Sequence, residues 1–297
     1  MNGARGLAVQ PETPVLVSRV RAGTGGDGPR LLLLHGLAAG SDTWDRLLPL
    51  LDPECEVWTA ELPWRGSGTP EWWRTPPARW VREAVDAVPG GPTVLVAHSF
   101  GAGAALSWLD TAVTGAPEAG TGRWAPGPTG PGALRGVVLA APFYRARAAD
   151  FDWAALSYHL NRFEAILEEG VRVRSAGRLA ADIQQRMAAK VRDRVGCHGW
   201  MRFFDTYLST PDLRTPAMHL PFLLVSGSED IAARTEDARA LTARLPDAAL
   251  HVLDGVGHFS MVERPGTFAS LVNGLVRDLH DLTARKRSGP VPSPGAP

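Results

Sequence analysis

The chain has 297 residues, 44% hydrophobic and 21% charged, and its 31 basic side chains balance 31 acidic ones. This composition is typical of a globular protein with one large core, or a core and a small accessory domain. Zero net charge gives no reason to expect nucleic acid or an anionic membrane as a partner. No apolar run approaches the ~20 residues that span a bilayer, and the first residues lack the pattern of a signal peptide. We therefore expect a cytoplasmic monomer or homodimer acting on a small molecule.

The two cysteines, Cys55 and Cys197, lie far apart in the sequence and do not form a metal-type spacing. In a reducing compartment such a pair is expected to remain as buried free thiols rather than a disulfide. No metal or organic cofactor is implied by the sequence.

In the first half of the chain, short apolar runs alternate with helical patterns, which predicts a parallel sheet with helices on both faces. An N-terminal strand or hairpin is expected at 15–20. The further predicted strands are at 31–34, 56–60, 93–98 and 136–141, and the predicted helices are at 43–51 and 77–88. The stretch 114–132 is dense in Gly and Pro and is expected to be a flexible loop.

The alternation stops between 143 and about 215, where helical segments at 153–170 and 178–195 carry many aromatic residues. This predicts a helical cap inserted over the sheet edge. Strands at 221–226 and 249–253 and helices at 234–245 and from Pro265 onward resume the pattern. We therefore predict a core of 1–142 and 216–287, a cap of 143–215 and a disordered tail of 288–297.

The motif Ala97-His98-Ser99-Phe100-Gly101 follows a buried strand and precedes an Ala-rich helix. A strand that turns so sharply into a helix forces its middle residue to a positive φ and holds the serine hydroxyl above the sheet edge. Small residues two places before and after the serine let strand and helix approach closely. The pattern is that of a nucleophile elbow and predicts Ser99 as the nucleophile.

A serine needs a base to accept its proton, and the base needs an acid behind it. Two later strand ends supply both groups: Gly227-Ser228-Glu229-Asp230 and Gly255-Val256-Gly257-His258. Functional groups of such sheets gather at the carboxyl ends of the strands. We predict Asp230 as the acid and His258 as the base, with Glu229 and Asp254 as alternative acids.

The order Ser99, Asp230, His258, together with Leu34-His35-Gly36 and Gly257-His258-Phe259, resembles the α/β-hydrolase superfamily over residues 15–284. The resemblance implies an eight-stranded, mostly parallel sheet with a helical cap inserted after strand 6. It also implies a Ser-Asp-His triad and an oxyanion hole formed by the backbone amides of Leu37 and Phe100.

Two positions depart from the family pattern. Ala97 replaces the usual first glycine of the elbow, and Trp64 replaces a glycine in Glu61-Leu62-Pro63-Trp64-Arg65-Gly66-Ser67-Gly68, a loop expected to border the pocket. The aromatic residues predicted to line that pocket are Trp64, Phe143, Trp153 and Phe259, which would suit a bulky apolar substrate. His35 and His98 are expected to be structural, through packing or hydrogen bonding.

The leading hypothesis is a serine esterase that cleaves an ester, thioester or lactone of a fairly bulky apolar substrate through an acyl-enzyme. The alternative is a cyclase, isomerase, lyase or acyl transferase of the same fold, with His258 as base, in a tailoring step of small-molecule biosynthesis (secondary metabolism). A third hypothesis is a catalytically silent binding module.

Overall fold

The computed structural model describes residues 15–24, 28–65, 72–114 and 134–288. The loop predicted at 114–132 and the tail predicted at 288–297 lie outside the described residues, except that Thr114 and Ser288 each end a helix. Residues 66–68 of the loop expected to border the pocket also lie outside them.

A single sheet forms the centre of the molecule, with strands in the order β1-β3-β2-β4-β5-β6-β7. β1 is antiparallel to β3, and every other neighbouring pair is parallel. The described residues thus contain seven strands, not the predicted eight, and β1 pairs with β3. The strand bounds are β1 Leu16–Arg21, β2 Arg30–Leu34, β3 Glu56–Glu61, β4 Val94–His98, β5 Gly136–Ala140, β6 Phe222–Gly227 and β7 Ala248–Leu253.

The central strands are apolar and buried along their whole length, as parallel strands covered on both faces must be. Successive side chains of β2 face opposite sides of the sheet. Leu32 and Leu34 pack in one apolar cluster, and Leu31 and Leu33 pack in the other. The sheet therefore separates two cores, as the sequence alternation predicts.

Helices cover both faces of the sheet. Their bounds are α1 Pro77–Asp86, α2 Phe100–Thr114, α3 Trp153–Arg174, α4 Ala181–Leu208, α5 Thr235–Thr242, α6 Ser260–Glu263 and α7 Pro265–Ser288. α7 begins at Pro265, whose missing N–H is not needed in a first turn. It buries one apolar stripe, which includes Phe268, Val272 and Val276, against the second core.

The helix predicted at 43–51 is wrong. Two short 3₁₀ turns, Ser41–Trp44 and Leu48–Leu50, occupy the segment instead. Pro49 lies in the second turn. Because proline has no backbone N–H, it could not make the hydrogen bond that an α-helix through this segment would require. The apolar side chains that suggested a helix, including Trp44 and Leu47, are nevertheless buried.

α3 and α4 lie between β5 and β6, within the stretch where the sequence predicts a helical cap. We call residues 143–215 the helical insertion. Because the described sheet has one strand fewer than predicted, the insertion follows its fifth strand rather than a sixth. Both cysteines are free thiols, but only Cys55 is buried; Cys197, in α4, is exposed, contrary to prediction.

Candidate active site

Ser99 occupies the turn between β4 and α2 with a φ of 56°, the left-handed conformation that the elbow motif predicts. Gly101, two residues later, packs directly beneath the loop that follows β2. A Cβ at this glycine would lie 2.5 Å from the backbone oxygen of His35, so a larger residue would push the helix away. The close packing fixes the Ser99 side chain at the carboxyl end of β4.

The structure brings Ser99, His258 and Asp230 together. His258 Nε2 lies 2.9 Å from Ser99 Oγ, and His258 Nδ1 lies 2.8 Å from Asp230 Oδ2. All three side chains are buried. With Nδ1–H donating to the carboxylate, Nε2 is free to accept the serine proton. The arrangement is a continuous hydrogen-bond chain from a hydroxyl through an imidazole to a carboxylate.

Asp230 is the acid that the structure places against His258. Its second oxygen, Oδ1, accepts hydrogen bonds from the amides of Ala232 and Ala233 at 2.7 and 2.9 Å, which fixes the carboxylate orientation. The two alternative acids, Glu229 and Asp254, are exposed. Asp254 Oδ1 accepts a hydrogen bond from Ser228 Oγ at 3.3 Å, so it serves the neighbouring turn.

The loop that carries His258 is held by a residue that the sequence did not single out. Glu263, in α6, accepts hydrogen bonds from the amides of Gly257 and Phe259 through its two carboxylate oxygens, at 3.0 and 3.1 Å. One carboxylate thus binds the backbone on both sides of His258. In the sequence Glu263 is an ordinary acidic residue near a helix start, and nothing there distinguishes it from a solvated one.

His98 also holds this loop, since its Nε2 donates to the backbone oxygen of His258 at 2.9 Å. Burial lowers the pKa of His98 well below its ordinary value, and the nearby charge of His258 lowers it further. The ring is therefore neutral, with its proton on Nε2. The bare Nδ1 is buried and has no hydrogen-bond partner among the described residues.

His35 shapes the loop after β2. Its Nε2 accepts a hydrogen bond from the amide of Leu62 at 2.9 Å, so its proton is on Nδ1 and is donated to the oxygen of Gly36 at 2.8 Å. Burial lowers the pKa of this histidine, which agrees with a neutral structural role.

The loop after β2 lies against the elbow. A Cβ at Gly36 would lie 3.0 Å from the Ser99 Cβ. Within the described residues, the backbone amides of Leu37 and Phe100 form no hydrogen bond. Two unused donors on the segments flanking a serine are what an oxyanion would require.

A small apolar cavity of about 50 Å³ opens at Ser99 and His258. Phe143 and Phe259, two of the four predicted pocket residues, line it. The other lining side chains come largely from the helical insertion and include Phe163, Leu167, Trp200 and Phe203.

The other two predicted pocket residues, Trp64 and Trp153, do not line this cavity. Trp64 is fully buried behind Phe100, with the two ring centroids 5.1 Å apart, and its Nε1 donates to the oxygen of His35 at 3.2 Å. Trp153 begins α3 and is 83% exposed. The sequence alone therefore did not tell which of the large aromatic side chains face the cavity and which face the core or the solvent.

Comparison with known proteins decides the family, since the sequence profile of the alpha/beta hydrolase family matches residues 31–271. The chain belongs to this family. The match spans most of the chain and every described strand except β1. The resemblance, the fold class and the assignment as an α/β-hydrolase enzyme are therefore confirmed, with seven described strands in place of eight.

Solved structures of α/β-hydrolases share the fold. A lipase candidate from Acinetobacter baumannii is 20% identical, with a TM-score of 0.66, over 90% of this chain and 89% of that one. A meta-cleavage product hydrolase from Pseudomonas fluorescens is 17% identical, with a TM-score of 0.62, over 89% and 95% of the two chains.

A third similar structure is a thermophilic esterase from Thermogutta terrifontis, 19% identical with a TM-score of 0.60 over 90% and 94% of the two chains. None of the curated proteins searched matches the chain. Over the described residues, no helix combines the length and hydropathy needed to cross a bilayer.

Proposed function

We propose that this α/β-hydrolase is a serine hydrolase that cleaves an ester, thioester or lactone through an acyl-enzyme. The observation that carries the proposal is the hydrogen-bond chain Ser99–His258–Asp230, with contacts of 2.9 and 2.8 Å, on a serine held at positive φ. The lipase- and esterase-type names of structures with the same fold support it at the level of reaction class.

In the proposed reaction, Ser99 Oγ attacks the substrate carbonyl while His258 Nε2 accepts its proton. The negative charge that develops on the carbonyl oxygen is stabilised by the free amides of Leu37 and Phe100. Asp230 stabilises the imidazolium of His258. The proton then passes from Nε2 to the departing alcohol or thiol, leaving an acyl group on Ser99. Water, deprotonated by His258, hydrolyses that ester and restores the free serine.

The cavity restricts the substrate that we propose. Its lining is mainly aliphatic and aromatic, which suits an apolar group next to the carbonyl. A single water needs about 10–15 Å³ of such space, so a volume of about 50 Å³ fits a group of only a few heavy atoms. The fairly bulky substrate expected from the sequence would require Trp200 and its neighbours to move. We therefore propose a short acyl group.

The non-hydrolytic alternative loses part of its motivation, because Trp64 packs behind Phe100 and does not border the cavity. It remains an outcome of the test below. Cytoplasmic location, a small-molecule substrate without nucleic acid or membrane partners, a monomeric or homodimeric state and a biosynthetic tailoring role stay predictions.

The experiment combines covalent labelling with turnover of short-chain esters. We expect a fluorophosphonate probe to label the parent protein but not Ser99→Ala, and turnover to fall about 10⁴-fold or more in that variant. Ser270→Ala is the matched control, since Ser270 is exposed in α7 and its hydroxyl donates to the backbone oxygen of Gly266. Product formed in heavy-oxygen water should carry the label. Near-parent turnover by Ser99→Ala, or unlabelled product at steady turnover, would contradict a serine hydrolase.

A further inference from the structure

Arg174 is a permanently charged residue that lines the cavity at Ser99. The described residues that line the cavity are otherwise aliphatic, aromatic or small, apart from Ser99 itself and two histidines, His98 and His258. Arg174 reaches it from the last turn of α3. The Arg174 side chain is 30% exposed, so its guanidinium has lost part of its hydration, and a bound anion would repay that loss.

The charge of Arg174 is only weakly compensated within the protein. Its Nε donates to the backbone oxygen of Gly170 at 3.2 Å, and its Nη1 lies 3.7 Å from Asp42 Oδ2, beyond hydrogen-bonding distance. Neither Nη nitrogen donates a hydrogen bond within the described part of the chain. The Asp42 side chain is 62% exposed, and such a solvated pair contributes little to stability.

Arg172, two residues earlier in α3, is an arginine with a full carboxylate partner. Its Nε and Nη2 donate to the two carboxylate oxygens of Glu169 at 2.7 and 2.6 Å. Arg172 does not line the cavity at Ser99. The two arginines therefore differ: Arg172 has a bidentate carboxylate partner, whereas Arg174 lines the cavity and its two Nη nitrogens donate no hydrogen bond within the described residues.

We propose that the substrate carries a carboxylate or similar anionic group a few bonds from the scissile carbonyl, and that Arg174 binds it. This inference rests on the proposed serine hydrolase function. A carboxylate matches the planar fork of a guanidinium and forms charge-assisted hydrogen bonds with it. The small volume of the cavity keeps the separation between anion and carbonyl short. Asp42 competes for the same guanidinium when no substrate is bound.

The test compares matched anionic and neutral esters by titration of the acid released. To place the anion on the acyl side, ethyl hydrogen glutarate is paired with ethyl valerate. To place it on the alcohol side, butyryloxyacetate, the carboxymethyl ester of butyric acid, is paired with ethyl butyrate. We expect Arg174→Gln to lower kcat/KM for the anionic ester of at least one pair by about ten- to a hundredfold. The neutral esters should change by less than about twofold.

Two further variants separate recognition of substrate from a structural role. Arg172→Gln should leave the ratio of anionic to neutral turnover unchanged. Asp42→Asn should raise kcat/KM for the anionic ester, because it removes the competing carboxylate; a structural role of the Arg174–Asp42 pair predicts a loss for both ester classes instead. The pair of substrates that responds tells which side of the scissile bond bears the anion.

The outcomes distinguish the two proposals. If the parent hydrolyses neutral esters through Ser99 but Arg174→Gln leaves both ratios unchanged, or lowers all four esters equally, the anionic-substrate inference is overturned and the hydrolase proposal stands. If the parent hydrolyses none of the four esters and is not labelled by a fluorophosphonate, the hydrolase proposal itself fails.

Discussion

The position of His258 depends on its backbone as much as on its ring. Three hydrogen bonds fix the loop around this residue, two accepted by Glu263 and one donated by His98. Catalytic groups must be held within fractions of an ångström of their working geometry. The loop also contains two glycines, Gly255 and Gly257, which would leave it loose without such anchors. We therefore regard Glu263 and His98 as positioning residues for the base.

Glu263→Gln tests this role. The amide keeps one acceptor oxygen but places an NH₂ group against the second backbone N–H, leaving that donor unsatisfied. We expect the free energy of unfolding to fall by about 1–3 kcal/mol and kcat for a short ester to fall about tenfold. KM should hardly change, because Glu263 does not line the cavity.

The control for this variant is Asp254→Asn, an exposed change in the same loop. Its kcat should match the parent. Equal kcat values for the parent and Glu263→Gln at a temperature where both are folded would show that the loop does not need this anchor.

The residues of the site differ in how far the sequence could predict them. Ser99, Asp230 and His258 were placed together because each follows a strand of a parallel sheet, and strand order then brings the three to one edge. Glu263 and Arg174 could not be found in this way. Their contacts depend on the exact turn of α6 and α3 that faces the site, and an acidic or basic residue in a helix is solvated in most proteins.

At the scale of elements, α4 is two helical segments joined at Gly196, where φ is 63° and ψ is 171°. The second segment carries Trp200 and Phe203, which line the cavity, and Phe163 of α3 stacks on Trp200 with ring centroids 3.7 Å apart. The direction of the chain at Gly196 therefore sets where these rings lie relative to Ser99. Any other residue would be strained at this φ.

Gly196→Ala isolates the backbone requirement, because a Cβ at this position would meet no atom within 4 Å. With a ψ of 171°, this backbone conformation is used essentially only by glycine and costs another residue about 1–3 kcal/mol, so we expect the free energy of unfolding to fall by about that amount in urea titrations. The matched control is Gly274→Ala in α7, where the nearest atom to the new Cβ lies at 4.0 Å and no positive φ occurs. That change should stabilise the protein by up to about 1 kcal/mol.

A stabilising effect of Gly196→Ala equal to that of Gly274→Ala would mean that α4 runs straight through in solution. The sequence predicted a helical segment ending at 195, just before this glycine, but neither the segment that follows it nor the change in direction. It also predicted a helix at 43–51 that is absent, since apolar spacing alone does not reveal that Pro49 limits the segment to 3₁₀ turns.

For the whole molecule, the alternation of apolar runs and helices was sufficient to predict the parallel sheet and its two cores, since these follow from side-chain periodicity. It could not predict how the helical insertion is attached to the core. Asp237 of α5 makes one such attachment: Tyr207 of α4 donates to its Oδ2 at 2.8 Å, and Arg145 Nη2 lies 3.3 Å from its Oδ1. The carboxylate is almost completely buried.

Burial raises the pKa of Asp237 to about 6, although Arg145 and Tyr207 act in the opposite direction. In the unfolded chain an aspartate titrates near pH ~4. The folded protein therefore binds more protons between these two values, and the stabilising contribution of this group is fully present below pH ~4 and is lost as the pH rises to about 6. Attachment of the insertion is thus predicted to weaken as the solution approaches neutrality.

Asp237→Asn removes the titrating proton while keeping an oxygen that can accept from Tyr207. Between pH ~4 and pH ~7 the free energy of unfolding of the parent should fall, relative to that of the variant, by on the order of 2 kcal/mol. Asp150→Asn is the control of opposite sign, because the side chain of Arg147 lowers the pKa of the exposed Asp150. For this control, the free energy of unfolding of the parent minus that of the variant should stay constant or rise with pH. A flat profile for Asp237→Asn across the same range would show that this buried carboxyl does not couple the insertion to pH.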